Sequence, residues 1–289
     1  MYNKILVPLD GSKAAEAVLP HVEIFARALQ LPVDLVHVTD TETVPPSIHT
    51  GHQADYLKQL AASCLNCLRV NCSVKSGSAA EVILDAASAD PGILIAMATH
   101  GQSAGARWLL GRTSQKVLQA SKNPLLLIRS DRPNGPVREA HLKTIIIPLD
   151  GSALAEQIFP HVVYLATKLG LNVVLIRTYT LPTASYFMGA HVSPPDRAEL
   201  AEKIKKEALD YLQAKVEELR PAGVEKISFV LAEGKGPEEI IDLSQRTSDN
   251  MVAMSTHGRS GIGRWVLGSV ADRVISYCGD PVLVIRPSQ

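Results

Sequence analysis

The 289-residue sequence lacks the features of a nucleic-acid-binding or membrane protein. Its 29 lysine and arginine residues are balanced by 29 aspartate and glutamate residues, and without a long basic run nonspecific nucleic-acid binding is not indicated. No apolar run reaches the roughly 18–20 residues that a membrane-spanning helix needs. A strand pattern starts at once and leaves no room for a signal peptide, so we expect a cytoplasmic protein with no membrane partner.

Cysteine is scarce as well, and the four cysteines of the chain are too few for a disulfide framework. Cys64 and Cys67 form a C-x-x-C pair close to Cys72, but a structural zinc site usually needs a second pair of ligands. The second half of the chain has no equivalent cysteines. We therefore expect ordinary thiols, with a metal or redox site as the alternative.

What the sequence does contain is a long internal repeat. Residues 4–12 read KILVPLDGS and residues 144–152 read TIIIPLDGS; residues 99–111 read THGQSAGARWLLG and residues 256–268 read THGRSGIGRWVLG. The matches lie 140 residues apart early in the repeat and 157 residues apart late in it. The difference places a 17-residue insertion in the second copy, between about Thr178 and Gly234.

A repeat of this length predicts two domains, each with its own core, rather than a solenoid. We predict a first domain over residues 1–131, a linker over residues 132–141 and a second domain over residues 142–289. The linker contains two prolines and a glycine, which is typical of a connection between domains. The insertion, from Tyr179 to about Asp196, is expected to be a lid over a ligand or an interaction surface.

Short apolar, β-branched segments alternate with longer amphipathic ones, which predicts an α/β fold with a doubly wound parallel five-stranded sheet in each domain. The strands predicted in the first half are Ile5–Leu9, Val33–Val38, Val70–Lys75, Ile93–Met97 and Leu125–Arg129. Those predicted in the second half are Thr144–Leu149, Asn172–Thr178, Lys226–Leu231, Met251–Ser255 and Val282–Arg286. The helices predicted in the second half include Ala153–Leu169 and Ala198–Leu219.

Two motifs follow strands at the sheet edge where open parallel sheets bind their ligands. In the first, Pro148 ends a strand, Asp150 offers an acceptor for a sugar hydroxyl or for a donor on the adenine side, and Ser152 can cap the next helix. In the second, a glycine-rich loop runs from Gly258 to Gly268 and enters a helix. Such a loop suits phosphate, because backbone N–H groups and the helix dipole both favour an anion. Each motif alone is often structural, but their joint occurrence favours a nucleotide site.

At these motifs the chain resembles the universal stress protein family in its tandem two-domain form, over nearly its whole length. The family's ATP-binding pattern is Gly, two residues, Gly, nine residues, Gly and then Ser or Thr. The resemblance implies an adenine-nucleotide α-hydrolase-like or Rossmann-like sheet with strand order 3-2-1-4-5. It also implies that the last strands of the two domains, Leu125–Arg129 and Val282–Arg286, pair antiparallel, and a homodimer is a further expectation.

The same resemblance implies that ATP, with Mg²⁺, is held mainly by the second domain. Asp150 would contact ribose, the backbone near Thr178 and Met254 would contact adenine, and the glycine loop would hold the phosphates. The residues expected to bind the nucleotide are Pro148, Asp150, Thr178, Met254, Ser255, Gly258, Gly268, Ser269 and Val270.

Both halves depart from the family pattern at its first glycine, where Ala98 and Ser255 stand. If that position requires positive φ, serine costs on the order of 1 kcal/mol; if not, its Cβ only crowds the ligand. The first half also has Arg112 in place of Ser269. Either Arg112 grips phosphate directly, or it extends outward or fills the pocket of a half that no longer binds. We favour the second interpretation, and name a candidate second site of Asp10, Val38, Gly101, Gly111 and Arg112.

Catalysis is not indicated by the residues around the loop. A general base needs a nucleophile or a bound water positioned beside it, and we expect His100 and His257 instead to hydrogen-bond locally and shape their loops. The sequence therefore predicts an ATP-binding stress-response or regulatory protein with at most slow ATP hydrolysis. One alternative is an adenylate-transferring enzyme, although the Ser-Gly-Gly loop expected after the first strand is missing. The other is an interaction module that binds no nucleotide.

Overall fold

The computed structural model describes residues 1–39, 50–66, 68–100, 110–129, 139–181, 194–258 and 267–288. The strands of the first half are β1 (Lys4–Leu9), β2 (Val33–Thr39), β3 (Val70–Ser76), β4 (Ile93–Ala98) and β5 (Leu125–Ile128). Its helices are α1 (Lys13–Glu16), α2 (Leu19–Leu29), α3 (Thr50–Cys64), α4 (Ala79–Ser88) and α5 (Arg112–Ala120).

The second half repeats this order of elements. Its strands are β6 (Thr144–Pro148), β7 (Asn172–Tyr179), β8 (Ile227–Glu233), β9 (Asn250–Ser255) and β10 (Val282–Ile285). Its helices are α6 (Ala153–Glu156), α7 (Phe159–Leu169), α8 (Pro194–Leu219), α9 (Gly236–Arg246) and α10 (Ser269–Tyr277).

All ten of these strands form one sheet in the order β3-β2-β1-β4-β5-β10-β9-β6-β7-β8. Each half thus has the predicted order 3-2-1-4-5 with parallel neighbours. The halves meet where β5 and β10 pair antiparallel, with Val282 opposite Leu127 and Val284 opposite Leu125. The predicted fold class and the pairing of the last strands are confirmed, and this pairing covers one edge of each half.

Burial on both faces explains why the strands could be located from apolar runs. Every residue of β4 and β9 is buried. One core cluster lies between the sheet and helices α1–α3 and α6–α8, and the other lies under α4, α5, α9 and α10. Helices on both faces are what a doubly wound sheet requires.

The prediction of one continuous helix over Ala153–Leu169 is wrong, because the segment forms two helices, α6 and α7. Pro160 lies in the first turn of α7 and has no N–H to donate to the carbonyl of Glu156. The first half breaks in the same way before Pro20, between α1 and α2.

The predicted insertion, Tyr179 to about Asp196, also needs correction, since Tyr179 belongs to β7 and α8 already begins at Pro194. Helix α8 has 26 residues against 15 in α3. Tyr56 is the seventh residue of α3 and Tyr211 the eighteenth of α8, so the additional residues lie at the N-terminal end of α8. Residues 182–193, where we expected a lid or an interaction surface, lie outside the described residues.

None of the helices that the structure describes is both long and apolar enough to cross a membrane. Cys64 and Cys72 are free thiols, and Cys67 lies outside the described residues. No group of three or more histidine, cysteine or carboxylate residues that could hold a metal occurs within the described part of the chain. The linker predicted over residues 132–141 falls largely outside the described residues as well.

Candidate functional site

A cavity of about 440 Å³ opens at the carboxyl ends of β6, β7 and β9 in the second half. Helix α8 forms one of its walls, and the first turns of α9 and α10 line it on the opposite face of the sheet. All the nucleotide-binding residues named from the sequence for this half line the cavity: Pro148, Asp150, Thr178, Met254, Ser255, Gly258, Gly268, Ser269 and Val270. The fold thus brings both motifs to one place.

The Asp150 carboxylate is held by a tight turn. Gly151 has φ of 85°, a left-handed conformation that favours glycine. Asp150 Oδ1 accepts hydrogen bonds from the backbone N–H of Ser152 at 2.9 Å and from its hydroxyl at 2.7 Å. The Ser152 hydroxyl in turn accepts from the N–H of Ala155 at 3.2 Å and caps α6. These bonds orient the carboxylate at the end of β6.

Two glycines bring the backbone close to this carboxylate and to the end of β9. A Cβ on Gly258 would lie 2.1 Å from Asp150 Oδ2, so a side chain there would displace the carboxylate. A Cβ on Gly268 would lie 2.9 Å from the carbonyl oxygen of Thr256, which also accepts the Gly268 N–H at 2.9 Å. Gly268 has φ of −61°, so close approach, not backbone freedom, is what requires glycine there.

The N-terminus of α10 faces the cavity. Gly268 is its N-cap and supplies no side-chain hydrogen bond, while Ser269, Val270 and Ala271 in its first turn all line the cavity. Backbone N–H groups at such a terminus, together with the helix dipole, favour an anion. The Ser269 side chain adds a hydroxyl donor at the mouth of the cavity.

Ser255 stands where the family pattern has its first glycine, and the structure shows no strain there. Among the described residues other than glycine, positive φ occurs at Gln30 and Asp249, not at Ser255 or at Ala98. The Ser255 hydroxyl is buried and donates to the carbonyl of Ala155 at 3.5 Å. The Cβ of Ser255 therefore occupies space beside the cavity but imposes no backbone penalty.

The histidines beside the glycine loops hydrogen-bond locally, as expected. Thr256 Oγ1 lies 2.9 Å from His257 Nδ1, and Thr99 Oγ1 lies 3.0 Å from His100 Nδ1. Each Nε2 atom is buried and has no partner among the described residues. Residues 101–109 and 259–266 of the two loops lie outside the described residues.

The first half has a smaller cavity, about 230 Å³, at the equivalent place. Asp10, Val38, Gly111 and Arg112 of the candidate second site line it, whereas Gly101 lies outside the described residues. Arg112 is the first residue of α5, is exposed, and forms no ion pair within the described part of the chain. The Asp10 turn matches the Asp150 turn, so the two cavities differ elsewhere.

Sequence reasoning missed the residues that line the larger cavity on the side of β7 and α8. These are Arg177, Tyr179, Thr180, Ile204, Glu207 and Ala208. The sequence did contain a usable signal. Tyr56 and Tyr211 lie in helical patterns 155 residues apart, whereas the early matches of the repeat lie 140 residues apart. Most of the additional residues of the second half therefore precede Tyr211. Of the α8 residues at the cavity, Ile204 lies in the extra N-terminal turns, whereas Glu207 and Ala208 have equivalents in α3.

Arg177 lines the cavity of the second half at the position where the first half has His37. The Arg177 guanidinium lies 4.4 Å from the centroid of the Tyr211 ring, and the Tyr211 hydroxyl donates to Glu156 at 2.7 Å. Burial, with the Glu156 carboxylate next, raises the pKa of Tyr211. At the equivalent position burial lowers the pKa of His37, which favours a neutral ring.

Comparisons with known proteins agree with the architecture. The model of the universal stress protein family matches residues 1–129 and 141–286. A universal stress protein of Mycolicibacterium smegmatis is 24% identical over 302 residues, which cover 98% of this chain and 97% of that protein. Universal stress protein MJ0531 of Methanocaldococcus jannaschii is 30% identical over 145 residues, covering 50% of this chain and 82% of its own length.

Solved structures share the whole fold. The crystal structure of a universal stress protein from Archaeoglobus fulgidus superposes with a TM-score of 0.67 at 18% identity, over 100% of both chains. At this identity the likeness supports the fold alone. Because the family model matches both halves, the chain belongs to the universal stress protein family.

Proposed function

We propose that this protein is an ATP-binding stress-response or regulatory protein that holds the nucleotide in the cavity of its second half. One observation carries the proposal: the Asp150 turn and the N-terminus of α10 face the same cavity. The cavity, at about 440 Å³, lies within the range of roughly 300–1,000 Å³ that is typical of small-molecule sites.

The residues present suit the parts of ATP. The first turn of α10, with Gly268 and Ser269, supplies donors for phosphate oxygens. The Asp150 carboxylate supplies acceptors for ribose hydroxyls, and Gly258 leaves room beside it. Thr178 and Met254 line the part of the cavity expected to take the adenine.

Mg²⁺ would enter with the nucleotide and neutralise part of its phosphate charge. Bound to phosphates, Mg²⁺ typically keeps several waters and uses only one or two protein carboxylates. The described residues contain no ready-made group of metal ligands, which suits an ion held mainly by ATP.

We assign the first half a scaffold role. Its cavity of about 230 Å³ is below the usual range for small-molecule sites, and Arg112 replaces the serine hydroxyl at the helix N-terminus. A cytoplasmic location and a homodimer belong to the same proposal.

The test is calorimetric titration of the intact protein with Mg-ATP, alongside Asp150→Ala and Ser269→Ala variants. We expect one site per chain, weakened by both substitutions. Two sites would show that Arg112 acts as a phosphate ligand and that the scaffold role is wrong. No binding by folded, nucleotide-free protein would overturn the proposal and leave an interaction module.

The titration is paired with an assay for release of AMP. We expect at most slow turnover of ATP, because the described contact of His257 Nδ1 is a local one with the hydroxyl of the neighbouring Thr256. Rapid AMP release that depends on a second substrate would favour the adenylate-transferring enzyme instead.

A further inference from the structure

The two cavities differ mainly on one side. In the second half, the lining continues past Thr178 along the end of β7 and onto α8, where Ile204 and Ala208 face it. In the first half, the lining stops at Val38, and no described residue of α3 takes part. We call the extra space beside β7 and α8 the base compartment.

Matching α3 to α8 shows which residues stand at this wall. The hydroxyls of Tyr56 and Tyr211 donate to Glu16 and Glu156, which are themselves equivalent, at 3.2 and 2.7 Å. The next residues, Leu57 and Leu212, are both fully buried. This register, 155 residues apart, places Gln53 of α3 opposite Ala208 of α8.

Gln53 closes the space that Ala208 leaves open. The Gln53 side chain extends from α3 to the end of β2, where its Oε1 accepts a hydrogen bond from Thr39 Oγ1 at 2.8 Å. Ala208 carries a single methyl group, is 2% exposed and lines the cavity. The long side chain of Gln53 and the methyl group of Ala208 are therefore one difference between the halves on this side.

We propose that Ala208 is a specificity-determining residue, because it keeps open the compartment that takes the purine base of the nucleotide. This inference rests on the proposed function. The compartment has an apolar wall from Ile204 and Ala208 of α8, which suits a flat aromatic ring, and the end of β7 offers backbone groups to its polar edge.

The charges around the cavity favour an orientation of the nucleotide with its base at α8. Glu207 on α8 places a carboxylate at the base compartment, which opposes the attraction of phosphate to the Arg177 guanidinium there. The N-terminus of α10 lies at the other end and attracts phosphate. The base is thus directed to α8 and the phosphates to α10.

The experiment compares magnesium complexes of ATP and of tripolyphosphate, which lacks base and sugar, by titration of the intact chain. Ala208→Gln should lower ATP affinity at least tenfold and change tripolyphosphate affinity less than twofold. Gln53→Ala is the matched control at the equivalent position and should leave the affinity for both ligands unchanged.

Two further measurements keep the result decisive. Thermal unfolding shows whether Ala208→Gln is folded, and Ala208→Val, a smaller encroachment, should give a smaller loss of ATP affinity. Unchanged ATP affinity in a folded variant, or equal losses for both ligands, would overturn the role of Ala208. If the wild-type protein binds neither ligand, the proposed function itself fails and the inference fails with it.

Discussion

The two halves build the same turn at the end of their first strand but enclose very different cavities. Asp10 accepts from the N–H and hydroxyl of Ser12 at 3.0 and 2.6 Å, and Asp150 accepts from Ser152 at 2.9 and 2.7 Å. The cavities nevertheless measure about 230 and 440 Å³. The Asp-Gly-Ser turn is therefore a structural element of this fold, and binding depends on what stands opposite it.

The residues opposite the Asp-Gly-Ser turn differ between the halves in two ways. At the N-terminus of the last helix, the first half presents Arg112 and the second half Ser269. At the helix before the third strand, α3 carries Gln53 across the space, while the longer α8 leaves it open at Ala208. Each difference suggests a substitution that changes nucleotide binding in one half, and the substitution at the equivalent position of the other half serves as its control.

The largest effect is expected at Gly258. In Gly258→Ala the new Cβ would lie 2.1 Å from Asp150 Oδ2, so the carboxylate must leave its position. Losing charged hydrogen bonds worth about 1.5–3 kcal/mol each should lower ATP affinity on the order of 100-fold in calorimetric titration. Gly101→Ala, at the equivalent position of the sequence, should leave the affinity unchanged; equal losses in both variants would contradict the asymmetry.

Asp150→Ala and Asp10→Ala separate binding from stability. Both variants lose the same two hydrogen bonds to a serine, so denaturant unfolding should show similar losses of about 1–3 kcal/mol. Only Asp150→Ala should weaken ATP binding, by roughly 10- to 100-fold. A comparable loss of affinity in Asp10→Ala would mean that the first half takes part in binding.

A pH difference is expected between wild type and His21→Gln. Burial lowers the pKa of His21 to about 4. Below its ordinary pKa of about 6.5 the unfolded chain takes up a proton that the folded protein resists, so stability is lost between pH 6.5 and 4. We expect His21→Gln to remove on the order of 2 kcal/mol of the loss between pH 7 and pH 5. Urea unfolding at both pH values measures this loss of stability in the wild type and in the variant. An equal loss in the two proteins would contradict a lowered pKa of His21.

The smallest effects are expected from the exchange of the helix N-terminal residues. Ser269→Ala removes one of several donors to phosphate and leaves the backbone N–H groups of α10 in place, so it should lower ATP affinity only about 3- to 10-fold. Arg112→Ser removes a cation from the N-terminus of α5 and should stabilise the protein by roughly 0.3–1 kcal/mol without changing ATP affinity. If Arg112→Ser instead removes a binding site, Arg112 is a phosphate ligand.

The sequence was informative where function and fold depend on contiguous residues. Strands such as β4 and β9 are buried along their whole length, so their apolar runs located them. Asp150 and the Gly268-Ser269 pair lie at strand ends and a helix start, and the parallel topology brings such ends together.

The other features of the site depend on the packing and backbone geometry of the folded chain, which no local sequence pattern indicates. Ala208 is an ordinary residue of an amphipathic helix, and its role follows only from the register of α8 against β7, where Tyr211 contacts Arg177. The effect of a side chain at Ser255 depended on its backbone φ, and the position proved to need no glycine. The break before Pro160 was readable, because proline lacks the N–H that a continuous helix requires.

The most direct test of the division between the halves is a crystal structure of the intact chain grown with Mg²⁺ and a non-hydrolysable ATP analogue. We predict nucleotide in the second cavity alone, with the base against Ala208 and the phosphates at Gly268 and Ser269. Nucleotide in the first cavity beside Arg112, or in both cavities, would contradict the assignment of one half to binding and the other to support.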